Sequence, residues 1–138
     1  MGQHDDYGKR VLRESAGEAF TAYGKSAEVD YGAGMPARVD GTVAGEVAVE
    51  VESRTAKQVP GAVLDLLCHE HPKKLLLILP VHMSNAETTA RQCRSALQKF
   101  VAENDFRVIV LNGHGSKHKL EEDAAAVRSA LKKLRATD

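Results

Sequence analysis

Alternation of apolar and polar residues is clearest between residues 46 and 52, where valines occupy every second position. Side chains point alternately to the two sides of a strand, so this pattern predicts a strand with one apolar and one largely acidic face. The two faces hold Val47, Val49 and Val51, and Glu46, Ala48, Glu50 and Glu52. A second segment, Lys74 to Leu79, is apolar almost throughout, which is typical of a strand buried on both faces.

Apolar residues at helical spacing predict four helices. The first runs from about Lys9 to Tyr23, with Gly24 at its end, and the second from near Ala56 or Pro60 to Glu70. Asn85 is expected to cap the third, whose apolar stripe extends to Phe100 and Val101. The last has its apolar face between Leu120 and Leu134. The remaining segments predict strands from Ala37 to Val43, with a turn at Ala44 and Gly45, and from Arg107 to Leu111. Glu28 to Met35 is expected to be extended, with a bend at Gly32 and Gly34.

The predicted elements follow the order helix, strands, helix, strand, helix, strand, helix. A hairpin followed by alternating strands and helices is typical of a mixed sheet flanked by helices. We therefore expect an α/β fold with a mixed central sheet, and one domain over residues 1–138, because this length suits a single domain.

The composition is that of a globular protein, with 43% hydrophobic and 28% charged residues. These proportions argue against a disordered, collagen-like or disulfide-scaffold protein. The longest apolar run, Leu75 to Val81, contains a proline and is too short to cross a bilayer, and the first ten residues form no hydrophobic leader. We interpret Cys68 and Cys93 as buried free thiols and expect a cytoplasmic protein without membrane partners.

The net charge of zero conceals an uneven distribution along the chain. Residues 1–52 contain 5 Lys and Arg against 10 Asp and Glu, whereas residues 53–138 contain 14 against 9. An acidic half and a basic half favour the binding of cations in one region and of polyanions in another.

Three acidic residues form a candidate metal site. Asp40 lies on the first strand of the predicted hairpin, and Glu50 and Glu52 point to the same side of the second. Antiparallel pairing brings Asp40 towards that side, where like charges repel unless a cation lies between them. Mg²⁺ is often held by one or two carboxylates together with water and substrate phosphate. The simpler alternative is that the acidic residues form the solvent-exposed face of an amphipathic strand.

The element order and these acidic residues resemble the restriction-endonuclease-like, or PD-(D/E)XK, nuclease superfamily. The resemblance covers roughly residues 9–80. It rests on Glu14 and Glu18 of the first helix, Ala37-Arg38-Val39-Asp40, Val47-Ala48-Val49-Glu50-Val51-Glu52, Gln58 and the strand KKLLLILP. It implies that Asp40 and Glu50 bind Mg²⁺, for which Mn²⁺ substitutes, and that Glu14 or Glu18 reaches the same metal.

Two positions depart from the family pattern. Val39 stands where the signature often has proline, and Glu52 stands where it usually has the lysine that orients or deprotonates the attacking water. A minority of restriction enzymes have a second glutamate there, so Glu52 is expected to accept the proton or complete the metal shell. Lys57 or Arg54 would alternatively supply the missing positive charge. Gln58 is expected to orient a carboxylate or a phosphate.

Other polar segments have weaker interpretations. His69 and His71 lack a second pair of zinc ligands and are expected to be partly exposed at a helix C-terminus. The segment Asn112 to Lys119 is either a DNA-contacting loop or a solvated one. Lys73 and Lys74 are expected to mark the exposed end of a strand. The chain has 3 Phe, 3 Tyr and no Trp, which argues against a base-stacking RNA-binding surface.

Together, the residues and the resemblance predict a metal-dependent endonuclease that hydrolyses double-stranded DNA, with a restriction-type enzyme as the first possibility. The alternatives are a structure-specific nuclease of the junction-resolvase kind, and a catalytically silent nuclease-fold protein that binds nucleic acid or protein. A homodimer is expected, because cutting both strands requires two sites and a two-fold axis matches duplex DNA.

Overall fold

A computed structural model of the protein describes residues 3–32, 34, 36–53, 59–113 and 116–136. It shows a mixed sheet of five strands with helices on both faces, and a second sheet of two strands. The helices are α1 (Gln3–Ala16), α2 (Val59–Cys68), α3 (Ala86–Gln98) and α4 (Lys117–Ala136). The strands are β1 (Phe20–Ala22), β2 (Glu28–Asp30), β3 (Pro36–Arg38), β4 (Gly41–Val43), β5 (Val47–Glu52), β6 (Lys73–Ile78) and β7 (Phe106–Val110). The predicted α/β fold with a mixed central sheet is confirmed.

The large sheet has the strand order β1-β4-β5-β6-β7. Its first three strands pair antiparallel, whereas β5, β6 and β7 pair parallel because α2 and α3 return the chain to the same end of the sheet. The backbone amide of Leu79 donates to Glu52 O, and that of Leu111 donates to Ile78 O, both at 2.9 Å. The C-terminal ends of the three parallel strands therefore meet at one edge of the sheet.

The two faces of β5 belong to two separate apolar cores. Val47, Val49 and Val51 pack with residues of α1 and α4, whereas Ala48 packs with residues of α2 and α3. The predicted division of this strand into two faces is thus confirmed. Gly8 lets α1 approach closely, because a Cβ atom there would lie 2.5 Å from Val51 Cγ1.

The first helix ends earlier than its apolar spacing predicts. α1 stops at Ala16, Gly17 adopts a φ of 58°, and the chain then forms the edge strand β1 against β4. Phe20 still packs into the core of α1 and α4, so it occupies a buried position without belonging to the helix. The backbone amides and carbonyls of residues 20–22 form hydrogen bonds with β4 instead of within a longer helix. This pairing overrides the helical spacing of the apolar residues.

The strand predicted from Ala37 to Val43 is divided into two. Pro36–Arg38 pair with Glu28–Asp30 in the small sheet, whereas Gly41–Val43 pair with β1 and β5 in the large one. The bend between them contains Asp40. The division therefore places a candidate metal ligand at the junction of the two sheets.

The later elements agree closely with their predictions. Asn85 caps α3, since its side chain accepts a hydrogen bond from Thr88 N at 3.4 Å. The helix ends at Gln98, however, and beyond it Phe100 is 75% exposed, whereas Val101 packs against the core of α2 and α3. Cys68 and Cys93 are free thiols, as predicted. Within the described part of the chain, no helix is both long enough and apolar enough to span a bilayer.

The two lysines of β6 are buried, contrary to the prediction that they mark an exposed end. Lys73 Nζ donates to Leu134 O near the end of α4, and Lys74 Nζ donates to His69 O at 2.7 Å just after α2. Carbonyl groups at a helix C-terminus lack partners within the helix, so both lysines supply missing donors. Burial lowers the pKa of Lys74 to about 8.

His69 is also buried rather than partly exposed, and His71 is half-buried. The backbone amide of His71 donates to His69 Nδ1 at 3.0 Å, and His69 Nε2 lies 2.6 Å from Ser26 O. Because a backbone amide can only donate, Nδ1 carries no proton and Nε2 is the donor to the carbonyl. His69 therefore ties the end of α2 to the segment before β2, which is a structural role.

Candidate active site

Asp40 and Glu50 are held together by hydrogen bonds from the backbone. The amide of Asp40 donates to Glu50 Oε1 at 2.8 Å, and the amide of Val51 donates to Asp40 Oδ2 at 2.7 Å. The Asp40 amide also donates to Val49 O at 3.0 Å, which continues the pairing between β4 and β5. Each carboxylate is thus fixed by the backbone segment that carries the other, as antiparallel pairing predicted.

The two carboxylates line a polar cleft of about 330 Å³. The cleft lies where the small sheet and α2 meet the end of β5. Its lining residues are Arg38, Asp40, Glu50, Val51, Glu52, Ser53 and Asp65. All three acidic residues of the predicted site therefore reach one cleft.

The acidic face of β5 is covered by protein, because Glu50 is 7% exposed and Glu52 only 2% exposed. The alternative of a solvent-exposed acidic face is therefore wrong for these two residues. Glu46 alone behaves as a surface residue, with its Oε1 3.1 Å from Arg135 Nε. α2 packs over β5 and shields the two buried glutamates from water.

Burial raises the pKa of Glu50 to about 9. The loss of hydration is the largest cause, and the negative charges of Asp40 and Glu52 add to it, against an opposing contribution from the Asp40 backbone hydrogen bond. A carboxyl with such a pKa is neutral at pH 7 and loses its proton readily only when a positive charge comes close. A cation close to Glu50 would therefore favour its charged form.

A fourth carboxylate, Asp65, lines the cleft from α2 and was not predicted from the sequence. Its Oδ1 accepts a hydrogen bond from the hydroxyl of Tyr31, and burial raises its pKa. Asp65 stands among apolar residues of a short helix, so no local pattern distinguishes it. Only the packing of α2 across β5 places it opposite the acidic face.

Asp40 and Glu50 are the residues of the cleft that could share a cation with other ligands. Across the described ranges, no group of three or more acidic, cysteine or histidine side chains is arranged to hold a metal ion alone. Two adjacent carboxylates nevertheless match the usual Mg²⁺ environment, in which water and substrate phosphate provide the remaining ligands. Asp40 Oδ2 and Glu50 Oε1 each accept a hydrogen bond from the backbone, which fixes the orientation of both carboxylates.

Several predicted site residues lie elsewhere or outside the described part of the chain. Glu14 and Glu18 are exposed, in and just after α1, which covers the opposite face of β5. The structure does not bring either of them into the lining of the cleft. Arg54, Lys57 and Gln58 lie outside the described residues, so their predicted roles remain predictions.

The basic segment near the C-terminus begins a helix rather than forming a loop throughout. Residues 117–119 make the exposed first turn of α4, where His118 Nε2 lies 2.9 Å from Glu122 Oε1. The preceding Asn112 and Gly113 donate their amides to the buried carboxylate of Asp123 at 2.8 and 3.3 Å. The hydroxyl of Tyr7 donates to the same carboxylate at 2.6 Å. This arrangement fixes the end of β7 against α1 and α4.

No family model, curated protein or solved structure matches the chain. A function for the protein must therefore be argued from the side chains of the cleft.

Proposed function

We propose that the protein is a metal-dependent endonuclease that hydrolyses phosphodiester bonds in double-stranded DNA. The observation that carries this proposal is the backbone-locked pair of Asp40 and Glu50 in a polar cleft. Burying Glu50 beside another carboxylate costs folding free energy. A divalent cation between the two groups would offset that cost, which accounts for a pair that is unfavourable on its own.

The residues of the cleft have distinct roles in this reaction. Asp40 and Glu50 would hold Mg²⁺, or Mn²⁺ in its place, and the ion would stabilise negative charge on the phosphate and lower the pKa of water. The water oxygen forms a bond to phosphorus while the bond from phosphorus to the leaving sugar oxygen breaks. Glu52 accepts the proton of the attacking water, and a solvent proton neutralises the leaving oxygen.

Basic side chains of α4 follow the end of β7, at the sheet edge where β5 ends with Glu52, but α4 packs with α1 on the face opposite the cleft. The first turn of α4 follows β7, and the end of β7 is two strand spacings, or about 10 Å, from the end of β5. Lys117 and Lys119 are exposed there, although cations are unfavourable at a helix N-terminus. A DNA phosphate next to that turn would offset this cost, so we propose that the turn faces DNA.

The proposed enzyme acts as a homodimer, because each chain contributes one cleft and a duplex has two strands to cut. Light scattering of the free protein tests this directly, with twice the mass of the chain as the expected result. A monomer both free and on DNA would contradict the dimer without affecting the assignment of the cleft.

The decisive experiment incubates supercoiled plasmid, linear duplex and a four-way DNA junction with the protein and Mg²⁺ or Mn²⁺. We expect the wild type to cut duplex DNA, and Asp40→Asn to reduce cutting by at least about 100-fold, the scale of lost acid–base and charge stabilisation. Glu46→Gln is the matched control, since it neutralises a carboxylate of the same hairpin outside the cleft.

The other outcomes identify the alternatives. Cleavage of the junction alone indicates a structure-specific nuclease. The absence of cleavage with every substrate and either metal would contradict an active nuclease and favour the catalytically silent protein. Equal cutting by wild type and Asp40→Asn would show that the activity comes from another site or a contaminant.

A further inference from the structure

The cleft contains one positive side chain among the lining residues that the structure describes. Four carboxylates, those of Asp40, Glu50, Glu52 and Asp65, share the lining with the guanidinium of Arg38. DNA brings phosphate groups, which such an acidic surface would repel. The positively charged side chain of Arg38 in this cleft is therefore the feature that most needs an explanation.

Arg38 and Asp40 line the same cleft from either side of Val39. The amide of Val39 donates to Ala27 O at 2.9 Å, and the next amide, that of Asp40, donates to Val49 O at 3.0 Å in β5. These two hydrogen bonds fix the bend at which the chain passes from the small sheet to the large one. Val39 is fully buried in the core of α2 and α3 and anchors the segment between them.

The backbone of Arg38 pairs with β2, but its side chain is exposed. Its guanidinium makes no hydrogen bond or ion pair with any residue that the structure describes, although four carboxylates line the same cleft. Among the other described arginines, Arg10 and Arg13 likewise donate no side-chain hydrogen bond to a described residue, whereas five donate to protein oxygens: Arg91, Arg94, Arg107, Arg128 and Arg135. A guanidinium held only as a counter-ion for the acidic residues would be expected to pair with one of them.

We propose that Arg38 binds a phosphate of the DNA backbone at this cleft and positions it beside Asp40 and Glu50. The proposal rests on the proposed function and deepens it, since it identifies how an acidic cleft receives an anionic substrate. A guanidinium suits this task because its planar donors bind two phosphate oxygens at once. Arg38 also supplies a positive charge in a cleft where Glu52 stands at the position that usually holds lysine in the nuclease superfamily the sequence resembles.

Binding is measured separately from cleavage, by fluorescence anisotropy of a labelled duplex with Asp40→Asn protein in Mg²⁺. In that background we compare Arg38, Arg38→Ala and Arg38→Lys. Lys132→Ala serves as the control, because it removes an exposed positive charge from α4 outside the cleft. We expect Arg38→Ala to weaken binding by roughly 10- to 100-fold, the range for a charge-assisted hydrogen bond.

The dependence on salt distinguishes a phosphate contact from a structural role. Arg38→Ala should reduce the slope of log affinity against log salt by about 0.9, and Arg38→Lys should restore the slope but only part of the affinity. Lys132→Ala should leave the affinity within about two-fold, as expected for a charge outside the interface.

Two results would overturn this inference while leaving the proposed nuclease intact. The first is that the wild type cuts DNA while Arg38→Ala binds DNA with unchanged affinity and an unchanged slope of log affinity against log salt. The second is an Arg38→Ala variant that unfolds at lower temperature in EDTA but binds DNA normally, which would make Arg38 a counter-ion for the carboxylates. A wild type that neither cuts nor binds DNA would instead contradict the proposed function itself.

Discussion

Asp40 and Glu50 lie side by side because hydrogen bonds from the backbone hold their carboxylates there. The Asp40 amide donates to Glu50 Oε1, and the Val51 amide, adjacent to Glu50, donates to Asp40 Oδ2. Both hydrogen bonds belong to the junction between β4 and β5, so the geometry of the pair is part of the fold. The fold thereby preorganises the two carboxylates for the metal that we propose, at the expense of stability.

The hydrogen bond to Asp40 predicts different stabilities for two substitutions at this position. Asp40→Ala leaves the buried amide of Val51 without its acceptor and should lower the free energy of unfolding by about 1–3 kcal/mol. Asp40→Asn keeps a carbonyl oxygen for that amide and should remain within about 1 kcal/mol of the wild type. Urea unfolding in EDTA measures both. Equal stabilities for the two variants would show that the Val51 hydrogen bond contributes little.

The raised pKa of Glu50 predicts how stability depends on pH without metal. An unfolded glutamate releases its proton near pH 4.5, whereas native Glu50 keeps it to about pH 9. Between these values the native state binds more protons, so the free energy of unfolding falls as pH rises, by up to about 1.4 kcal/mol per pH unit.

Glu50→Gln removes this titration. We expect the variant to match the wild type near pH 5 and to be more stable by at least about 2 kcal/mol at pH 8. Urea unfolding in EDTA at several pH values provides the measurement, with Glu46→Gln as the control for an exposed carboxylate. Parallel pH profiles for Glu50→Gln and the wild type would contradict the raised pKa.

The buried carboxylate of Asp123 predicts a structural defect outside the cleft. It accepts hydrogen bonds from Tyr7 and from the amides of Asn112 and Gly113. Asp123→Ala leaves these donors unpaired and should cost about 2–4 kcal/mol, whereas Tyr7→Phe removes one donor and should cost about 1 kcal/mol. Chemical unfolding measures both variants. Hydrogen exchange at Asn112 and Gly113 should become faster in Asp123→Ala, and unchanged protection there would contradict the assigned contacts.

The first turn of α4 predicts a change in the salt dependence of DNA binding. The Lys117→Ala, Lys119→Ala double variant should lower the slope of log affinity against log salt by up to about 2, because each phosphate contact contributes about one. The double variant Lys132→Ala, Lys133→Ala removes two exposed charges from the other end of the same helix and is the matched control. Equal slopes in the two double variants would exclude the first turn from the interface.

The periodicity of the sequence by itself determined most of the later elements and the two faces of β5. The strict alternation from Val47 to Glu52 leaves no other register, because a shift of one residue would exchange the valines and the glutamates between faces. β6 and α4 follow equally directly from their apolar residues. The same alternation placed Glu50 and Glu52 on one side, so the core of the candidate site was predictable from local sequence.

Only the tertiary structure decided where the first helix ends, which acidic residues share a cleft and which charges are buried. Phe20 belongs to an edge strand because β4 is available as a partner, and Asp65 reaches the cleft because α2 crosses β5. Lys73 and Lys74 are buried because the ends of two helices supply carbonyl acceptors. Lys73 donates to Leu134 O of α4, far along the chain, and Lys74 donates to His69 O, just after α2. Each of these outcomes depends on a contact between separate elements, and local periodicity carries no information about such contacts.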